Sequence, residues 1–258
     1  MAKTRVSLTL DENLVDRIDR KVDSGSYVNR SQAIERLLEE HLQRERIATA
    51  VILCGGEELP PDCMQQVDGK PALQHILDHL EEEGVERVIL AINEDDQKAR
   101  QHIEQNSSNL RIEYLEEEQP LGTAGALRRA KDRLEETFLL LNGDVICRVD
   151  VEDMAKTHRQ DDVLGTVALT TVRDISDYGV TRLKGNKIIG FTEKPDQDEA
   201  PSNLINAGVY ILEPEVIDML PSEDEQQQVD VEDLFDQLAE RRKLKGYVYE
   251  GEWRDVGN

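Results

Sequence analysis

No stretch of this 258-residue chain is both long and apolar. A bilayer span needs about 20 consecutive apolar residues, so no membrane partner is expected. The opening MAKTRVSLTL lacks the long apolar core of a secretory signal, which points to a cytoplasmic protein. Cysteine is scarce. Cys54, Cys63 and Cys147 are an odd number without metal-type spacing, and reduced thiols are expected. The five histidines are scattered and form no ligand pair, so nothing points to zinc. Positive charge is the third shortage: 31 Lys and Arg face 55 Asp and Glu, for a net −24. Residues 1–46 hold nine basic and nine acidic side chains, and residues 47–258 hold the remaining 22 and 46. The larger part should therefore repel nucleic acid. Such a surface is first of all a solvated one; adaptation to a salty cytoplasm is the sharper expectation. What is present is a hydrophobic content of 38%, enough to bury a core in one large or two unequal domains.

Residues 3–10 alternate, with Val6, Leu8 and Leu10 on one side and Arg5, Ser7 and Thr9 on the other. Period two predicts a strand with one buried face. Asp11 is placed to cap a helix carrying Leu14, Val15, Ile18 and Val22 at helical spacing. After a turn at 23–27, a second helix opens at Asn29-Arg30-Ser31-Gln32, with the stripe Ala33, Ile34, Leu37, Leu38 and Leu42. One strand and two helices cannot bury a core alone. Pairing two chains through the strand solves this.

The order strand, D-x-x-L helix, turn, N-R-S-x-A-I helix resembles the ribbon-helix-helix DNA-binding family over residues 3–44. The resemblance implies a domain at 1–45 that makes a homodimer through its ribbon and binds double-stranded DNA. Arg5, Ser7 and Thr9 would meet base edges in the major groove. Ser31 and the first amides of the second helix would hold a backbone phosphate. The blander reading is a dimerisation device only.

From residue 47 onward strands alternate with helices. Strands are expected at 48–53, 87–92, 111–115 and 138–141, and helices at 71–82, 97–104 and from Thr123. This rhythm predicts an α/β fold with a largely parallel, doubly wound sheet. The second half is richer in strands, at 164–172, 179–183, 187–191 and 204–212, with a helix near 231–240. Gly55-Gly56 after the first strand looks like a phosphate-binding turn, though glycine turns after strands are common. LLLNGDV (139–145) puts Asp144 at the sheet's carboxyl edge, where ligands bind in such folds. Asp255, in WRDVG, is a second acid able to share one hard cation with it. A turn aspartate is the plain alternative for Asp144.

The set AVILCGG, QPLGTAGAL (119–127), LLLNGDV, YGV…GFTEKP (178–195), NLINAGVYIL (203–212) and WRDVG (253–257) resembles the sugar-nucleotidyltransferase family over nearly all of 49–257. The resemblance implies a Rossmann-like nucleotidyltransferase domain at 47–258 that joins a nucleoside triphosphate to a sugar 1-phosphate. It assigns Gly55, Gly56, Gln119, Gly122, Thr123 and Gly143 to the nucleotide. Glu193, Lys194, Asn206 and Gly208 would hold the sugar and its phosphate, and Asp144 and Asp255 would hold Mg²⁺.

The chain departs from the family at the triphosphate. Where the family's glycine loop carries an arginine and then a lysine, this one carries Glu57, Glu58 and Asp62, with no Lys or Arg before Lys70. Phosphate transfer rests on positioning and charge neutralisation. Loss of such a cation is worth ~10³–10⁵ in rate. The reading preferred on sequence is a DNA-binding transcriptional regulator whose large domain binds a sugar nucleotide or sugar phosphate with catalysis impaired. An active Mg²⁺-dependent sugar-1-phosphate nucleotidyltransferase is the alternative. A scaffold recruiting a true transferase is the third.

Overall fold

The computed structural model describes residues 6–55, 62–106, 109–117, 122–176, 178–196, 200–220 and 231–257. The chain divides into two compact units, Met1–Arg46 and Ile47–Asn258. Among the described residues, no helix is long and apolar enough to cross a membrane.

The small unit holds α1 (Glu12–Asp23) and α2 (Arg30–Glu45). The Asp11 carboxylate accepts from the Asn13 amide at 2.8 Å and caps α1, as its position predicts. At the start of α2, Asn29 Oδ1 accepts from the Gln32 amide at 3.0 Å, while Gln32 Oε1 accepts from the Val28 amide at 2.7 Å. This reciprocal pair fixes where the helix begins. Asp19 of α1 and Arg30 of α2 form an ion pair, and Ile18 and Ala33 are buried. Residues 6–10 form no strand within one chain, since a strand needs a hydrogen-bonded neighbour. Val6 and Leu8 stand 71% and 56% exposed.

The large unit runs β1 (Thr49–Leu53), β2 (Gln66–Val67), β3 (Lys70–Pro71), α3 (Ala72–Glu82), β4 (Arg87–Asn93), α4 (Gln97–Gln105) and β5 (Arg111–Glu117). Then come α5 (Thr123–Arg129), β6 (Phe138–Asn142), β7 (Val145–Cys147), α6 (Val151–Arg159), β8 (Gly165–Thr171), β9 (Gly179–Lys184) and β10 (Lys187–Glu193). It closes with β11 (Leu204–Leu212), α7 (Val231–Glu240), β12 (Leu244–Val248) and β13 (Trp253–Asp255). Among the described residues, nine strands make one sheet in the order β5-β4-β1-β6-β11-β8-β12-β10-β9. Strands β5, β4, β1 and β6 are parallel. The second half is mixed: β11 runs antiparallel to β6 and β8, and β12 parallel to β8.

Alternation along the buried strands feeds a core on each face. Ala50 and Ile52, Val88 and Leu90, and Leu139 and Leu141 pack on one face with Leu73, Ile76 and Leu80 of α3 and Met154 of α6. Val51, Ile89, Phe138 and Leu140 point the other way, against Leu127 of α5 and Leu234, Phe235 and Leu238 of α7. Each such side chain contributes roughly 1.5–3 kcal/mol by leaving water. The winding reverses at β1, which has β4 on one side and β6 on the other. The carboxyl ends of β1 and β6 therefore flank the crevice where open α/β sheets bind ligands.

Leu140 is fully buried in the strand at the middle of this arrangement. Leu140→Ala is expected to cost about 2–5 kcal/mol, read as a lower urea midpoint at unchanged slope. An unchanged midpoint would contradict the packing described.

Candidate active site

Strands β1 and β6 deliver two turns to one place. The Gly143 amide donates to Leu53 O at 2.9 Å, and the Cys54 amide to Ala91 O at 2.8 Å. Gly143 has no room for a side chain: a β-carbon there would lie 2.5 Å from Cys54 Sγ and 2.6 Å from Leu53 O. This close approach holds Gly143, and so the backbone leading into Asp144, against the end of β1.

The second carboxylate arrives by a separate ladder. β13 pairs antiparallel with β7, with Asp255 opposite Val145. The Val256 amide donates to Asp144 O at 2.9 Å, and the Gly257 amide to Asp255 Oδ1 at 2.9 Å. Both carboxylates meet at Gly257, where an added β-carbon would be 2.8 Å from Asp144 Oδ2 and 3.5 Å from Asp255 Oδ1. Arg254 fastens the outer side of β13 to Asp68 at 2.7 Å. Burial, then the charge of Asp255, then that of Asp62 hold the Asp144 carboxyl above the usual aspartate value. A buried carboxyl whose ionisation is opposed by a second carboxylate beside it suits a hard divalent cation. Among the described residues, no cluster of three or more metal-binding side chains forms, so any cation here would draw further ligands from water or phosphate.

Both carboxylates open into a cavity of about 520 Å³ that also takes in Asn142, Tyr178, Gly179, Glu193, Asn206, Gly208 and Trp253. A bulge in β11 makes room for Gly208, at φ +73°, whose added β-carbon would meet Val145 at 3.1 Å and Asn142 at 3.3 Å. Asn206 spans that bulge, accepting from the Gly208 amide at 3.0 Å and donating to Tyr210 Oη at 2.7 Å. Trp253 donates from Nε1 to Ala207 O at 3.2 Å and meets Tyr178 edge-on, with centroids 5.7 Å apart. Lys194 follows β10 with φ +38°, its amide donating to Tyr178 O at 3.2 Å. A non-glycine residue in that region is uncommon and requires support from its surroundings.

The structure thus gathers Asp144, Asp255, Glu193, Asn206 and Gly208 around one cavity. Gly122 lies at the start of α5 with φ +76°. Thr123 Oγ1 accepts from the Val231 amide at 2.7 Å, which ties α5 to α7 and leaves the hydroxyl hydrogen to donate. Ser7, Thr9 and Ser31 are exposed, Ser31 in the first turn of α2. Arg5, Gly56 and Gln119 lie outside the described residues. Sequence reasoning missed Asp233 and Asp236, one turn apart on α7, which reach the same cavity. Their i, i+3 spacing was the available signal, but an acidic helix face reads as solvated surface. Burial, with Asp233 and Glu240 next, raises the Asp236 carboxyl. Among the described residues, the cavity lining holds five carboxylates and no Lys or Arg.

Residues 49–258 match the Nucleotidyl transferase family, and residues 4–45 the Ribbon-helix-helix protein, copG family. The chain is 34% identical over 220 residues to the Bifunctional protein GlmU of Methanococcus maripaludis, covering 81% of this chain and 51% of that protein. It is 34% identical over 207 residues to the Mannose-1-phosphate guanyltransferase of Yarrowia lipolytica, covering 76% and 55%. The chain therefore spans about half the length of these curated relatives. Among solved structures it is similar to HddC from Yersinia pseudotuberculosis complexed with GMP-PN. The TM-score is 0.68 at 27% identity, covering 82% of this chain and 95% of that one.

The raised Asp144 carboxyl has a measurable consequence. The folded state holds this proton more tightly than the unfolded chain, so stability falls as pH rises from 3.8 through the raised value. At neutral pH in chelator-treated buffer, Asp144→Asn is expected to melt above the wild type. The gap should close as pH falls toward 3.8. A variant that melts below the wild type at neutral pH would contradict the electrostatic account.

Proposed function

The chain belongs to the Nucleotidyl transferase family, and from that premise we propose that it is a DNA-binding transcriptional regulator whose large domain binds a sugar nucleotide or sugar phosphate with transfer chemistry impaired. The observation that carries this is the charge of the site. Five carboxylates and no cationic side chain line the cavity among the described residues. The glycine loop adds Glu57, Glu58 and Asp62 in sequence. A triphosphate bearing about four negative charges needs positive partners for transfer, because positioning and neutralisation supply most of the catalysis.

In this reading Asp144 and Asp255 hold Mg²⁺, which when bound offsets phosphate charge. Gly55, Gly56, Gln119, Gly122, Thr123 and Gly143 hold the nucleotide, largely through backbone that glycine leaves accessible. The Thr123 hydroxyl keeps its hydrogen for a phosphate or ribose oxygen while accepting from the Val231 amide. Glu193 and Asn206 orient sugar hydroxyls, Gly208 lets the sugar approach the β11 bulge, and Lys194, next to the cavity but outside its lining, would have to turn inward to meet the sugar phosphate. In the small unit, the exposed Val6 and Leu8 become buried when a second copy supplies the other strand of the ribbon. That leaves Arg5, Ser7 and Thr9 facing DNA, with Ser31 and the α2 amides on a phosphate. In this reading the protein works in the cytoplasm, where DNA and sugar nucleotide would both be available.

A second reading, an active sugar-1-phosphate nucleotidyltransferase, is favoured by one specific observation. Asp144 and Asp255 share their cavity with Glu193, Asn206 and Gly208, so the cation and sugar halves of a working site are together. Pyrophosphate release separates the two. Purified protein, Mg²⁺ and a panel of nucleoside triphosphates with sugar 1-phosphates are assayed beside Asp144→Ala. The regulator reading expects no release above the variant, with sugar-nucleotide binding still visible as a thermal shift. Release that Asp144→Ala abolishes would establish the transferase instead.

A further inference from the structure

Cys54 directly follows β1, and Cys63 sits in a 3₁₀ turn, Asp62–Met64. Eight residues separate them in sequence. In space they are neighbours: both are buried at 2% exposure, and both side chains crowd the same point over Gly143. Gly143 fixes their position, since a β-carbon there would lie 2.5 Å from Cys54 Sγ and 3.2 Å from Cys63 Cβ. The two sulfur-bearing side chains thus pack directly against the backbone that carries Asp144. Both are free thiols, as is Cys147 on β7.

We propose that Cys54 and Cys63 are a dithiol modification site, which small-molecule disulfides convert to an internal disulfide that joins the two roots of the glycine turn and acts on the site through Gly143. The exchange balances. When the Asp62–Met64 turn opens to admit the small disulfide, Cys63 gives its proton to solvent and attacks one sulfur, the other sulfur leaves as a small thiolate, and a mixed disulfide forms at Cys63. The Cys54 sulfur then attacks the Cys63 sulfur and expels the second small thiol. The protein gives up two protons and two electrons, and the small disulfide takes them up as two thiols. Burial pushes the Cys54 thiol up and keeps it protonated, so it acts second, where contact with Cys63 replaces a high concentration of thiolate. A bond S–S of about 2.05 Å replaces a looser thiol contact, so the atoms beneath Gly143 must shift. Disulfides in reducing compartments are characteristically transient and redox-sensing. The inference rests on the two thiols and stands whether the domain senses its ligand or turns it over.

Mass mapping of the full-length protein tests it. The protein is equilibrated in buffers of reduced and oxidised glutathione, capped with an alkylating reagent and digested with trypsin. Cleavage after Arg46 and Arg87 leaves Cys54 and Cys63 on one peptide and Cys147 on another. The expected result is a 47–87 peptide that has lost two hydrogens and takes no alkyl group, in the wild type and in Cys147→Ser alike. Cys54→Ser should instead stop at a glutathione adduct on Cys63. Two alkylated thiols in the most oxidising buffer, adducts without an internal link, or a link to Cys147 would each overturn the proposal. The reduced and linked forms are also expected to differ in the melting shift produced by Mg²⁺ alone. Equal, non-zero shifts would overturn the action on the site. No shift in either form would count against cation binding at Asp144 and leave the mass result intact.

Discussion

Two carboxylates, Asp144 and Asp255, are held side by side by main-chain hydrogen bonds against their own repulsion. The β7–β13 ladder sets Asp255 opposite Val145, and the Val256 amide locks the backbone of Asp144. Asp144 is carried in turn by the tight passage of Gly143 against Leu53 and Cys54. The fold therefore spends part of its stability to keep a negative centre at the mouth of its crevice. Such an arrangement is useful to a protein only when a positive group completes it.

Everything else around the cavity is arranged with respect to that centre. The β11 bulge brings Gly208 and Asn206 up to Asn142 and Val145, and Trp253 stacks its edge geometry against Tyr178 from β13. Helix α7, tied to α5 through Thr123, adds Asp233 and Asp236. A divalent cation held by Asp144 and Asp255, as proposed, would offset two of the five carboxylate charges in the lining and leave the rest uncompensated. That surplus is tolerable for holding a ligand and unfavourable for driving phosphate chemistry, where developing charge must meet preorganised donors. The same reasoning places the proposed redox pair well, because Cys54 and Cys63 lie beneath the glycine on which the acidic centre depends.

Much of this was legible in the sequence because the signals are local. Alternation in Ala50–Ile52 and Val88–Ile92, the helical stripe Leu73, Ile76, Leu77 and Leu80, and the cap at Asp11 each name an element without tertiary information. Asp144 and Asp255 were visible as acids in distinctive contexts, and their convergence follows the strand order. The mixed second half of the sheet was not legible, since β8, β11 and β12 have buried patterns that do not encode direction. Nor were Asp233 and Asp236, or the contact between Cys54 and Cys63. Those depend on where α7 docks and on how the chain returns through Asp62, which no short-range pattern records. The strand expected at 3–10 is a different case: residues 6–10 meet no partner strand among the described residues.

A regulator of the proposed kind binds a sugar nucleotide and DNA with one chain, and regulation follows only if the two are linked. The most direct measurement is the affinity of the full-length protein for a duplex selected from random sequence, with and without Mg²⁺ and a sugar nucleotide. The account predicts that ligand changes the DNA affinity, and that DNA changes the ligand affinity by the same factor, as linkage requires. An affinity for the selected duplex that stays constant across all ligand concentrations, or failure to select any duplex, would contradict it.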